Sequence, residues 1–589
     1  MFKGAAAAMS AVAVWFGEHS QFGWLHLPAD NTARAGVVLC PALGMESAWS
    51  HRAFRLMAET LEADGFAVLR FDHPGSGHSA GGLQENWPED VLRSGFSSAL
   101  AFLRATGVES VAAVGFRLGA TVAATALATQ EAAGPEPGGP EVEALVLWDP
   151  CLSGRAFLRE QKAIRILALG PYSPGEPGTA AGDREASVSG YCYPSPARED
   201  IENMDLMTIE SISASRLLVL AKPGLSDRAR ASLEGRLGGD WTTAAGTENL
   251  LFNLETPDET MTEITRWLAA ALPMDRKEVS VPPHHDQLLV NSPGHPAVVE
   301  TPVRIGPLEL FGFVVAPVAG DTEVQPTVVF LNTSFEPCIG PGRLWVTLSR
   351  KLAASGRRTI RVDLSGLGDS PARPGQPRFV NYQPEAIEDA VEVVRWVARE
   401  DPTNFVLVGS CSGGYNSLEA ARLLGGGEVC AVNPVLDGPP PSTARPSSTQ
   451  HRGLSSPRRR WLEWMKRRGF RRIRAYLPEL VWHVLHLTRL QRSPAHGLRA
   501  IAAGGTRVFL LCGPADAQNF DWRGGWITRE LERTGLLRFV TVPHLDHGLL
   551  TSGPQQVAGQ AIFEYLMSPD RASGVAEAGQ PGALLTSLG

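Results

Sequence analysis

The sequence predicts an α/β protein made of two copies of one domain, each a mostly parallel sheet with helices on both faces. Three observations lead there. A chain of 589 residues exceeds what one hydrophobic core organises. Short apolar runs bounded by Gly and Pro alternate with helix-like stretches, the pattern of repeated strand–helix units. Finally, a series of landmarks recurs in the same order in both halves, pairing Asp72 with Asp363 and Arg117 with Cys411.

Taken in order, Val37–Pro41 and Val328–Asn332 read as apolar strands ending in a turn. Helical segments follow at Ser50–Gly65, with Leu56 and Leu61, and at Leu344–Gly356, with Leu348 and Leu352. Next come strands closing on an aspartate, Ala67–Asp72 and Thr359–Asp363, each followed by a Gly-rich turn, Gly75-Ser76-Gly77 and Gly366-Leu367-Gly368. Apolar runs Val111–Val114 and Phe405–Val408 then lead into glycine-flanked turns, Gly115-Phe116-Arg117-Leu118-Gly119 and Gly409-Ser410-Cys411-Ser412-Gly413, with a helix-like stretch behind each. Further strands end in Trp148-Asp149-Pro150 and Val432-Asn433-Pro434. These elements place the domains at 12–272 and 297–568, joined by a polar linker, 273–296. Gly134–Pro140 and Tyr172–Gly182 read as surface loops, and 569–589 as a flexible tail.

Composition narrows the class. With 43% hydrophobic and 20% charged residues the profile is that of an ordinary globular protein, and a net charge of −8 argues against a generic nucleic-acid binder. Seven scattered cysteines, none in a Cys-x-x-Cys pair or in ligand spacing with His, point to reduced thiols in a cytoplasmic setting, with no metal and no cofactor expected. The Ala-rich start, Met1–Phe16, lacks a clear processing site, and no apolar run reaches membrane-span length.

The two glycine-flanked turns carry the chemistry. Both have the strand–turn–helix context of a nucleophile elbow, and neither has serine at its centre. On these motifs both halves resemble α/β-hydrolases of the serine aminopeptidase (monoacylglycerol lipase-like) branch. The first, with Gly-Phe-Arg-Leu-Gly-Ala at 115–120, is similar to exosortase A system-associated hydrolases; the second, with Gly-Pro-Gly-Arg at 340–343 and Cys-Ser-Gly-Gly at 411–414, looks like a sister group with cysteine at the elbow.

The resemblance implies the chain order nucleophile, acid, histidine. Carried over by position, the second copy supplies Cys411, Asp516 after the strand Arg507–Gly513, and His547 after the strand Leu537–Val542. Ser412 is an alternative nucleophile, Asp437 an alternative acid and His544 an alternative base. The oxyanion hole is expected from the backbone N–H of Ser412 and one from the turn holding Asn332 and Thr333, with Asn332 alternatively a plain turn residue. A thiol suits a helix N-terminus beside imidazolium, a setting that lowers thiol pKa values to roughly 3.5–7.5.

The first copy lacks such machinery. No histidine occurs between His78 and His284, so the base position near Leu254-Glu255 is empty, and a permanently protonated arginine is no nucleophile. Arg117 is open to two readings: a buried ion pair with Asp72 or Asp149, or an anchor for an anionic ligand at a helix N-terminus. Asp227 occupies the acid region or caps a helix.

A cap insertion is expected at about 438–503. It contains ten Lys/Arg between Arg452 and Arg474 against the single acid Glu463, then an apolar stretch, Leu477–Leu490. Such a run is a solvated face, a dock for an acidic carrier protein bearing an acyl or peptidyl substrate, or a contact with an anionic membrane; nucleic acid fits least. The leading expectation is a cysteine-dependent acyltransferase or thioesterase-like hydrolase in a biosynthetic pathway. The alternatives are a non-catalytic scaffold with two degenerate sites and a serine hydrolase or peptidase using Ser412.

Overall fold

The computed structural model describes residues 11–568 except 83–86, 88, 130–140, 170–186, 189, 254, 292–293, 295, 319–325, 379–381, 399–403, 437–493 and 523. Asp437, the basic run Arg452–Arg474, the stretch Leu477–Leu490, the loop Gly134–Pro140, the loop Tyr172–Gly182 and the tail 569–589 therefore lie outside the described residues. Of the expected cap, the described part contains the helix Pro494–Ala502.

The chain folds as two compact units that divide between Pro302 and Val303. The first is built on an eight-stranded sheet in the spatial order Val12–Phe16, Gln21–His26, Ala67–Phe71, Gly36–Cys40, Val111–Phe116, Val142–Trp148, Ala214–Ala221, Asp240–Thr243. The first two strands of that order pair antiparallel, with each other and with Ala67–Phe71, and the remaining pairings are parallel. The second sheet has nine strands and repeats that plan: Leu288–Val290, Val298–Ile305, Leu310–Pro317, Thr359–Val362, Thr327–Leu331, Phe405–Ser410, Glu428–Val432, Arg507–Cys512, Leu537–Thr541. Antiparallel pairing at its leading edge gives way to parallel pairing from Thr359–Val362 onward.

The parallel strands are apolar on consecutive residues because helices cover both faces. In Gly36–Cys40, Val38 and Cys40 enter one core layer while Val37 and Leu39 enter the other. In Thr327–Leu331, Val329 and Leu331 face one layer, Val328 and Phe330 the opposite one. This two-sided burial is why these runs do not alternate in polarity.

The stretch 273–296, expected as a linker, contains paired strands. Lys277–Glu278 pairs with Thr32–Ala33, and Leu288–Val290 forms a hairpin with Val298–Ile305. The backbone of His285 also exchanges hydrogen bonds of 2.9 and 3.1 Å with Trp15. These segments take up edge N–H and C=O groups that would otherwise be left open. Hydropathy alone did not reveal them because they are two or three residues long. Among the described residues no helix is long and apolar enough to cross a membrane.

Candidate active site

Both elbows adopt the same unusual backbone. Arg117 has φ 53° and ψ −121°, Cys411 φ 51° and ψ −113°, each at the junction of a strand and the helix it caps. A non-glycine residue at positive φ carries strain that the surroundings must hold. Tight packing does so here. A Cβ on Gly409 would lie 2.3 Å from the Gly413 carbonyl carbon, and one on Gly413 would lie 2.3 Å from the Asn332 oxygen. In the first copy a Cβ on Gly119 would meet the Pro41 oxygen at 2.1 Å. The flanking glycines are thus required by close backbone approach in both copies.

At the second elbow, His547 Nε2 lies 3.4 Å from Cys411 Sγ. Its Nδ1 lies 3.2 and 3.1 Å from the two carboxylate oxygens of Asp516. Asp516 sits in the first turn of the helix Pro514–Trp522, directly after the Arg507–Cys512 strand. His547 follows the last strand on a short irregular loop. The hydrogen bond that His547 donates to Asp516, then that with Cys411, raises the His547 pKa to about 10 against the opposing effect of burial. Burial alone would push the Cys411 thiol up; the hydrogen bonds with His547 and Tyr382, the charge of His547 and the Ser412 N–H outweigh it and lower the value. Sulfur and imidazole therefore favour the thiolate–imidazolium form, and their titrations belong to the pair.

The remaining expected residues separate clearly. Ser412 Oγ is buried and accepts the Ser334 N–H at 2.9 Å. That bond occupies the Ser334 N–H; Thr333 beside it is buried, with its Oγ1 unpartnered. The Asn332 side chain is a clasp: its Nδ2 donates to the Glu336 carbonyl and the Asp363 carboxylate, and its Oδ1 accepts the Leu364 N–H at 2.7 Å. Its side-chain amide is thus committed to the turn and to the end of the Thr359–Val362 strand. His544 is exposed at φ 59°, and among the described residues it makes no hydrogen bond to Cys411 or Asp516.

Two residues escaped the sequence reading. Tyr382 places its hydroxyl 3.4 Å from Cys411 Sγ. Asn433, fully buried, accepts the Gly513 N–H at 2.8 Å and donates to the carbonyls of Asp546 at 3.0 Å and His547 at 3.3 Å. It thereby ties the turn leading to Asp516 to the loop bearing His547. The Val432-Asn433-Pro434 landmark was visible as a strand end, but only three-dimensional proximity gives the asparagine its job.

In the first copy the elbow position is enclosed by acids. Arg117 pairs through Nε and Nη2 with both Glu46 oxygens at 3.2 Å, through Nη1 with Asp149 at 3.5 Å, and with Glu160. Lys222 also holds Glu160, at 2.7 Å, and Gln161 donates to Glu46 at 2.7 Å. Asp149 is the expected partner; Asp72 is not, since its carboxylate holds the Gly-rich turn through the His78 N–H at 2.8 Å. Arg117 is thus engaged by three carboxylates, with which any incoming anion would have to compete. Burial raises the Asp149 pKa to about 7 and also raises that of Glu46, with Arg117 opposing both shifts. Asp227 opens a helix whose cap is Ser226, which accepts the Ala229 N–H at 3.3 Å. Among the described residues no cluster could hold a metal ion.

Comparison with known proteins gives two family matches. Residues 37–167 match the alpha/beta hydrolase fold and residues 328–561 the alpha/beta hydrolase family. Similar solved structures include an a/b serine hydrolase without lid from Xanthomonas campestris, 16% identical, covering 49% of this chain and 99% of that one with a TM-score of 0.27. A dienelactone hydrolase from Anabaena variabilis is 15% identical, covering 48% and 98% with a TM-score of 0.29. A proline iminopeptidase from Mycobacterium smegmatis is 14% identical, covering 44% and 98% with a TM-score of 0.30. No curated protein matches the chain.

Proposed function

Because the chain carries two α/β-hydrolase domains in tandem, we propose that the second is an acyl-transferring hydrolase with Cys411 as nucleophile, His547 as base and acid, and Asp516 as the group that orients the histidine. One observation carries this reading: the imidazole of His547 bridges Cys411 Sγ on one side and the Asp516 carboxylate on the other. A nucleophile within hydrogen-bond reach of a base that a third group orients is the arrangement covalent catalysis needs.

In this mechanism the thiolate attacks the acyl carbon of a thioester, ester or amide. A C–S bond forms and the carbonyl π pair moves to oxygen, where the N–H groups of Ser412 and Thr333 receive it. As the tetrahedral species collapses, His547 passes its proton to the leaving group. Water, an amine or an alcohol then attacks the acyl-thioenzyme with His547 as base, returning the thiolate. Exchange between thioesters is nearly isoenergetic, which favours activated acyl donors and transfer as well as hydrolysis. An acidic acyl carrier docking at Arg452–Arg474 and a cytoplasmic biosynthetic setting belong to the same proposal. The first domain, with Arg117 in the nucleophile's place and no histidine to act as base, is assigned a non-catalytic supporting role.

Incubation with a panel of activated thioesters, followed by intact-mass measurement, tests the reading. The expected result is an acyl adduct on the wild type that is missing from Cys411→Ala and persists in Ser412→Ala. Turnover retained by Cys411→Ala and lost in Ser412→Ala would move the chemistry to the serine; turnover absent from every form would favour a scaffold.

A further inference from the structure

Tyr382 occupies a costly backbone position. Its φ is 57°, in the left-handed region where a bulky side chain is out of place. It lies two residues ahead of the helix Pro384–Val397, and its ring packs edge-on against Tyr415, at 5.7 Å and 66°. Tyr415 belongs to the elbow helix Ser412–Leu424 and is itself buried. That packing brings the Tyr382 hydroxyl to 3.4 Å from Cys411 Sγ.

The sulfur then faces three hydrogen-bonding groups. His547 Nε2 is 3.4 Å away and the Tyr382 hydroxyl 3.4 Å, and the neighbouring Ser412 N–H helps lower the thiol pKa. A neutral thiol can donate its one proton to an unprotonated Nε2 and accept from the other two groups. A thiolate has three lone pairs and no proton, so it accepts from all three.

We propose that Tyr382 is a further catalytic residue of this site: its hydroxyl donates to Cys411 Sγ, holding the sulfur as thiolate and fixing its direction for attack. The inference rests on the reading of Cys411 as nucleophile. In the step Tyr382 serves, a sulfur lone pair becomes the new C–S bond, the carbonyl π pair moves to oxygen, and the phenolic proton stays on Tyr382 throughout. Charge leaves the sulfur as the bond forms, so the hydrogen bond acts on the resting nucleophile. The strained backbone at Tyr382 fits a position held by function.

The test is the pH dependence of iodoacetamide alkylation at Cys411, mapped by peptide mass, in the wild type, Tyr382→Phe and Cys411→Ala. Tyr382→Phe removes one oxygen and leaves the ring contact with Tyr415, so its thermal midpoint is expected to match the wild type. Loss of a hydrogen bond to a charged group should move the alkylation midpoint up by about one to two pH units. Below the wild-type midpoint, turnover of an activated thioester should fall about tenfold to a hundredfold in step with the lost thiolate. An unchanged midpoint and unchanged turnover in Tyr382→Phe, with Cys411→Ala unlabelled and inactive, would overturn the role of Tyr382 and leave Cys411 as nucleophile. Full turnover in Cys411→Ala would overturn both.

Discussion

Replacing Arg117 by methionine should destabilise the first domain strongly at alkaline pH and weakly at acid pH. The guanidinium is 3% exposed, Glu46 0% and Asp149 4%, so the variant leaves two buried carboxylates without their cation. Breaking a buried ion pair from one side typically costs about 3–5 kcal/mol. The lower figure applies here, because Gln161 still donates to Glu46 and because the acids can escape by taking up protons. About 3 kcal/mol corresponds to a fall of roughly 6–12 °C in the unfolding midpoint of a domain this size. The pH window follows from the shifted groups. Asp149 titrates near 7 in the folded state against an unfolded value of about 3.9, so the folded form binds more protons between those limits and loses stability as pH rises through them. Arg117 lowers both the Asp149 and Glu46 values; without it they climb further, and the penalty grows toward pH 8 and shrinks toward pH 5. Calorimetry of Arg117→Met across pH 5–8 measures this directly. Adding Glu46→Gln and Asp149→Asn should recover most of the loss, since an apolar or neutral replacement of a whole buried ion cluster is often close to neutral. A midpoint within 1 °C of the wild type at pH 8, or a loss that does not vary with pH, would refute the argument that these charges are mutually compensating.

Asp516→Asn removes the largest cause of the raised His547 pKa, so the alkaline limb of a pH–rate profile, set near 10 in the wild type, should move toward 6.5 while turnover falls by about 10²–10⁴. Asn433→Ala should lower kcat about tenfold to a hundredfold with little change in KM, because it loosens the loops carrying Asp516 and His547 without touching substrate; an equal rise in KM would argue against a positioning role. Gly413→Ala, which drives a Cβ to 2.3 Å from the Asn332 oxygen, should cost about 3 kcal/mol of second-domain stability and be detectable as an early thermal transition.

The parts of this molecule legible in the sequence are those written in local pattern. Val37–Pro41 and Phe405–Val408 announce buried parallel strands by unbroken apolar runs, and glycines two residues either side of Arg117 and Cys411 announce the elbows. Asp516 and His547 were named because the family resemblance sets an acid and then a histidine after the last two strands of the second copy. Tyr382 and Asn433 were not, since a lone tyrosine in a loop and an asparagine at a strand end carry no periodicity and gain meaning only from the sulfur and the carbonyls beside them. The companions of Arg117 show the same limit: Asp149, at a matched landmark, was anticipated, but Glu46 and Glu160 lie on helices far away in sequence. Short edge pairings such as Lys277–Glu278 fall below the length at which any pattern can show.

The left-handed turn at Arg117 separates two things usually read as one. Its geometry is held without a nucleophile, clamped by Gly119 against the Pro41 carbonyl and by Gly115 against Ala120. The turn is therefore a socket belonging to the scaffold, able to seat a thiol in one copy and a cation in the other at the same backbone angles. Swapping cysteine into position 117 would fit the socket and still yield no enzyme, because the missing histidine and the acids gathered around the guanidinium lie on other elements. Gain or loss of activity in such duplicated chains is settled by what converges on the socket.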